Sequence, residues 1–151
     1  MAAGTHEAWI EWEADGGFVA GDYRRTHIWR FDGGAEVSAS ASPHIVPEPQ
    51  SDPAAVDPEE ALVASVSSCH MLWFLSVARD AGFDVARYSD RAEGTLARDR
   101  DGRIAITRID LAPVIEFAGR QPAPAEIAAL HEAAHDRCFI ANSFAASSPI
   151  R

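Results

Sequence analysis

Two cysteines, Cys69 and Cys138, are the residues best equipped for chemistry in this chain. Cys69 sits in the most apolar stretch, Ala61 to Leu75, which follows the acidic string Asp57-Pro58-Glu59-Glu60. Cys138 comes 69 residues later, directly after a short amphipathic segment. Two cysteines in a reducing compartment rarely form a structural framework; they form a redox couple, a metal site, or plain apolar packing. As a nucleophile a thiol works as the thiolate, which at neutral pH is only a few per cent of a free cysteine.

A stabilising cation is therefore needed near the attacking sulfur. The helix expected around Cys69 does not supply it through its dipole. Cys69 lies about 16 Å beyond Pro58 at ~1.5 Å per residue, and the dipole fades within the first turn. Arg25 is the candidate. A strand over 25–31 puts it on one face with Trp29 and Phe31, whereas Arg24 faces the other way. At about 4 Å and an effective dielectric near 20, a guanidinium contributes roughly 4 kcal/mol, about three pKa units before desolvation. Glu59 is the carboxylate that would hold such an arginine. It lies about 15 Å before Cys69 on a straight helix, so it does not reach the sulfur of its own chain. Two copies of the helix crossing antiparallel near residue 64 would bring Glu59 of one beside Cys69 of the other, an active site shared across a dimer. The small residues Ala61, Ala64, Ser65, Ser67 and Ser68 permit that approach. Cys138, at the end of a later helix, is placed where the dipole disfavours a thiolate, which suits a resolving thiol better than an attacking one.

These side chains need elements to position them. Residues 6–14, 25–31 and 36–42 read as strands, with Asp32-Gly33-Gly34 as a hairpin turn. Four prolines make 43–57 a long ordered loop. Asp57 as N-cap, Pro58 at the first helical position and Glu60 completing a capping box open a helix that should run to about Ala81 and stop at Gly82. It is apolar almost all round from Leu62 to Ala78 and should be buried on several sides, by a sheet and by a partner subunit. Residues 88–98 and 103–117 form a hairpin around Asp101-Gly102, with Pro113 interrupting the second strand. Pro124 opens a second helix to about Arg137, and 142–150 is expected to add an edge strand. Strands, helix, hairpin and helix in that order predict one α+β domain over the whole 1–151 chain.

Composition narrows the function. A net charge of −10 argues against a nucleic-acid partner, since phosphate binding needs clustered positive side chains. All 13 positive charges are arginine. No export signal is read at the N-terminus and no apolar stretch is read as long enough to span a membrane, so the expected location is cytoplasmic.

Three segments together resemble the OsmC/Ohr family of thiol peroxidases: Asp57-Pro58-Glu59-Glu60 with Cys69-His70; Asp101 to Arg108; and Ala134-His135-Asp136-Arg137-Cys138-Phe139-Ile140-Ala141-Asn142-Ser143. The resemblance, closest to an OsmC-like branch, runs from about Trp9 to Ser143. It implies an intertwined homodimer of α+β subunits, with curved antiparallel sheets wrapped around two central helices. It also implies reduction of organic hydroperoxides, and of hydrogen peroxide less efficiently, without a cofactor. By similarity Cys69 is the peroxidatic residue, Cys138 the resolving one, Glu59 the carboxylate that orients an arginine, and Arg25 that arginine. The disulfide so formed implies an external dithiol reductant, in this family often a dihydrolipoyl group. Met71, Leu72, Trp73 and Phe74 are candidates to line an apolar substrate pocket, although core packing accounts for such residues equally well.

Two other readings remain open at the level of sequence. His131, His135 and Cys138 share one helical face, and with Cys69 or His70 they make a plausible zinc set. A non-catalytic module of the same fold, binding a small apolar ligand, is the second.

Overall fold

The computed structural model describes residues 4–144. Its elements in order are β1 (Ala8–Glu11), β2 (His27–Phe31), β3 (Glu36–Ala39), α1 (Pro58–Asp80), β4 (Asp84–Asp90), β5 (Glu93–Arg98), β6 (Ile104–Asp110), β7 (Pro113–Ala118), α2 (Pro124–Arg137) and α3 (Phe139–Phe144). Every strand pair is antiparallel, and the class is α+β. The chain divides into two compact units, Met1–Ala61 and Leu62–Arg151.

The first unit holds the three-stranded sheet β1-β2-β3. Its proline-rich loop is ordered through local bonds: Val46 N donates to Ser42 O at 2.9 Å, and Ser40 N to Val56 O at 3.0 Å. The start of α1 follows from its sequence. Glu60 N donates to Asp57 Oδ1 at 2.7 Å and Asp57 N to Glu60 Oε2 at 3.2 Å, the reciprocal capping box that the spacing predicts.

The second unit has two two-stranded sheets, β4-β7 and β5-β6. The predicted hairpin is present, but each arm is broken. Asp90 Oδ1 accepts from Ala112 N at 2.7 Å, tying together the two breaks that precede Glu93 and Pro113. The arm therefore begins at Asp84, earlier than expected, and its halves pair separately. Gly94 is needed because a Cβ there would lie 2.5 Å from Val63 Cγ2 of α1. The core gathers Phe74, Val77 and Ala78 of α1, Phe83, and Leu130 and Ala134 of α2.

Three expectations need correction, and a fourth is refined. Within one chain the buried residues of α1 are Val66, His70, Phe74, Val77 and Ala78, which form one stripe. At 23 residues α1 is also long and apolar enough, by length and composition alone, to cross a membrane, so the sequence does contain such a stretch. Arg25 precedes β2 instead of opening it, its N–H bonded to Gln50 O at 2.7 Å. Asn142 to Phe144 belong to helix α3, not to an edge strand, because the chain turns back into helix at Cys138, with Asn142 N donating to Cys138 O at 2.9 Å; positions 145–150 lie outside the described residues.

Candidate active site

Cys69 is half-buried in the middle of α1, and Cys138 is fully buried at the junction of α2 and α3. Both are free thiols, and their side chains lie within hydrogen-bonding reach of one another. This contact joins positions far apart in sequence and sets two oxidisable sulfurs side by side. Burial, then the bond with Cys69, raises the Cys138 pKa to about 11, while the N–H groups of Ala141 and Ile140 pull it back in part. Ala141 N stands 3.4 Å from Cys138 Sγ. Cys138 thus closes α2 and also opens α3, a double position that sequence reasoning missed. At neutral pH it is a thiol.

A histidine pair joins the same two helices, His70 next to Cys69 on α1 and His131 on α2. His70 Nε2 and His131 Nδ1 are 3.0 Å apart, their rings stacked within 6° at 5.3 Å between centroids. His131 also rests on Phe74, centroids 4.6 Å apart, so it fills the slot between two α1 side chains one turn apart. Burial first, then the neighbouring His131 and His135, lowers the His70 pKa to about 4, against a smaller opposing pull from Asp90. Burial lowers His131 as well. Tyr88, whose ring lies 5.7 Å from that of Phe74, is raised to about 12 by burial and then by Asp90, and its hydroxyl has no hydrogen-bond partner among the described residues. The register Val66–His70–Phe74 was the available signal that His70 faces inward. Among the described residues no three His, Cys, Asp or Glu side chains converge as metal ligands. His131 turns to His70 while His135 is exposed, so the zinc set left open by their spacing does not assemble among the described residues.

Arg25 and Glu59 belong to the first unit. The Arg25 guanidinium lies over the Tyr23 ring, 3.7 Å from its centroid, and donates to the Tyr23 carbonyl. His27 bonds to this turn through its ring. Its Nδ1 donates to Arg25 O at 2.7 Å and its Nε2 accepts from Trp29 Nε1 at 2.9 Å, which defines the tautomer. Arg24 instead pairs with Asp15 at 3.4 Å on the exposed side. Among the described residues Arg25 enters no ion pair, and Glu59 Oε2 is buried without a hydrogen-bond partner. Arg25, Trp12, Phe18, Tyr23 and His27 line a cavity of about 440 Å³ whose walls are mostly carbon. The rings of Trp12, Phe18 and Tyr23 meet pairwise at 5.0–5.6 Å. Sequence reasoning looked for an apolar pocket at residues 71–74 instead. There, Phe74 is a core residue, Trp73 packs against the core and Leu72 is exposed.

The residues matched by the model of one protein family, described as OsmC-like protein, are 50–151. No curated protein matches the sequence. Among solved structures, an OsmC-like protein of unknown function from Vibrio cholerae is 42% identical, with 98% of this chain and 97% of that chain covered and a TM-score of 0.94. An organic hydroperoxide resistance protein from Elizabethkingia anophelis shares the fold at 18% identity, 99% and 94% coverage and a TM-score of 0.72. The organic hydroperoxide resistance protein OhrB of Bacillus subtilis does so at 16% identity, 99% and 97% coverage and 0.68. With a family match over its last two thirds and a near-full-length structural relative at 42% identity, the chain belongs to the OsmC/Ohr family, as an OsmC-like protein.

Proposed function

We propose that the protein is a thiol-dependent peroxidase that reduces organic hydroperoxides, and hydrogen peroxide less efficiently. The observation that carries this reading is the contact between Cys69 and Cys138. The Cys69 thiolate attacks the terminal oxygen of R–O–O–H. The O–O bond breaks, an S–O bond forms, and the alkoxide leaves as an alcohol after taking up a proton. Cys69 is then a sulfenic acid, oxidised by two electrons. The Cys138 sulfur displaces the hydroxyl, which departs as water with the thiol proton, and a Cys69–Cys138 disulfide remains. An external dithiol of the dihydrolipoyl type returns both sulfurs to thiols by exchange and is itself oxidised to the disulfide. No cofactor enters the cycle.

Arg25 is the cation assigned to the thiolate, and Glu59 the carboxylate that holds it. The guanidinium has no carboxylate partner among the described residues, and Glu59 carries a buried oxygen with nothing to accept from. Such an oxygen calls for a donor. The working form is a cytoplasmic homodimer.

Intact-mass analysis of the reduced protein after one equivalent of cumene hydroperoxide tests this reading. Loss of about two mass units, abolished in Cys69→Ser, is expected from a disulfide. Unchanged mass in the wild type, or peroxide consumption that survives Cys69→Ser, discards the assignment. The aromatic cavity favours one alternative, a small-ligand carrier without turnover; ligand binding to a chain inert to hydroperoxide would identify it.

A further inference from the structure

The two helices that bring the sulfurs together are α1, carrying Cys69, and α2, ending at Cys138. Among the described residues their side chains share one hydrogen bond besides the thiol contact, His70 to His131. His70 is the next residue after Cys69, and His131 stands about two turns before Cys138, ~10 Å along the axis. The bond is buried on the α1 side, where His70 is 6% exposed, and His131 is held between His70 and Phe74. A shift of α2 along α1 would break this bond and separate the sulfurs together.

We propose that His70 and His131 form a clamp between the cysteine-bearing helices, acting as positioning residues that set the reach over which Cys138 closes on oxidised Cys69. The clamp rests on the peroxidase reading for its role, but not for its geometry. Neutral, the pair shares one proton between facing nitrogens. A first added proton charges a buried site; a second sets two N–H donors against each other and breaks the bond. The groups that act on the pair are His135 from α2 and Asp90 at the end of β4. The sign follows from His70, whose pKa falls from 6.5 to about 4 on folding. The unfolded chain binds the proton more readily, so the stability that the neutral pair contributes is fully present above the unfolded value and is lost as pH falls through the folded one.

The test follows the fate of the sulfenic acid. Reduced wild type, His131→Ala and His131→Asn receive one equivalent of cumene hydroperoxide with dimedone present, and intact mass separates dimedone adduct from disulfide. In His131→Ala the adduct should accumulate and disulfide closure should slow about tenfold or more, as expected for displaced reacting atoms. His131→Asn, whose amide can replace Nδ1, should recover most of the rate. It should also lack the wild-type loss of closure as pH falls toward about 4. Closure in His131→Ala as fast as in wild type overturns the clamp, and so does an acid limb unchanged in His131→Asn. If His131→Ala does not fold, His131→Phe keeps the ring contact without the nitrogen and should behave as the alanine variant is expected to. Equilibration in dithiothreitol redox buffers reads the same proximity without peroxide. A wild type that gives neither adduct nor disulfide with hydroperoxide sinks the peroxidase reading alone. The clamp then stands or falls on whether the disulfide of the variant is about tenfold easier to reduce than that of wild type.

Discussion

At the scale of single residues, the two sulfurs differ in environment in the direction that the proposed peroxidase cycle requires. Cys69 is half-buried, so a substrate can meet it. Cys138 is fully buried, and burial with the bond to Cys69 holds it as a thiol, with a pKa of about 11. A group that far above neutrality is a poor first attacker, and it needs no access to peroxide if it reacts only with its neighbour. Cys138→Ser should therefore consume about one hydroperoxide per chain and stop at the sulfenic acid, with excess peroxide driving that sulfur on to sulfinic acid. Sustained turnover in Cys138→Ser with a monothiol-free dithiol system would place the resolving sulfur elsewhere. Both cysteines stood out in the sequence, but their adjacency did not, because no local pattern encodes a contact across more than sixty residues. The same distance in sequence hid the His70–His131 bond, although His70 lies in register with Val66 and Phe74 on the buried stripe of α1.

At the scale of elements, legibility followed locality. The capping box at Asp57 and Glu60, the turn at Asp101-Gly102 and the opening of α2 at Pro124 depend on neighbours within a few residues, and each is found where the sequence placed it. What escaped depends on distant partners. The broken hairpin arms answer to Asp90 binding across to Ala112, and Arg25 leaves the strand because its backbone is held by Gln50. The aromatic cavity draws on β1, the segment after it and the approach to β2, so no one periodicity marks it. Gly94 gives this scale its clearest test. It sits in β5 against α1, where an added methyl would meet Val63, a branched side chain with little freedom to move, and would lie near Ile106. Gly94→Ala should destabilise the protein by about 1–3 kcal/mol, the range for overpacking a filled interior. The effect is read as a lower denaturation midpoint at unchanged slope. A midpoint equal to wild type would mean that α1 and β5 are not closely packed in solution.

At the scale of the whole molecule, α1 decides what remains to be covered. Its inward stripe is Val66, His70, Phe74, Val77 and Ala78, while Ala64, Ser68 and Leu72, spaced by four, form an exposed line along another face. Leu72 is 61% exposed. A helix this apolar is costly to leave half in water at ~25 cal/mol per Å² of carbon surface. The small side chains at 64 and 68 let a second helix approach closely. The surfaces of Ile104 and Val114 add further exposed carbon within the same unit. On the proposed dimer reading, a second copy of the chain with its α1 crossing this line would cover such a face and would also bring donors toward Glu59, whose Oε2 has no hydrogen-bond partner among the described residues. Light scattering should accordingly return about twice the chain mass of 16.3 kDa. Ala64→Arg, which puts a long charged side chain at the crossing, should return the single-chain mass and lose most peroxidase activity while keeping the helical spectrum. A single-chain species with undiminished turnover, in either the wild type or the variant, would mean that one chain completes its own active site and that the exposed line on α1 serves some other purpose.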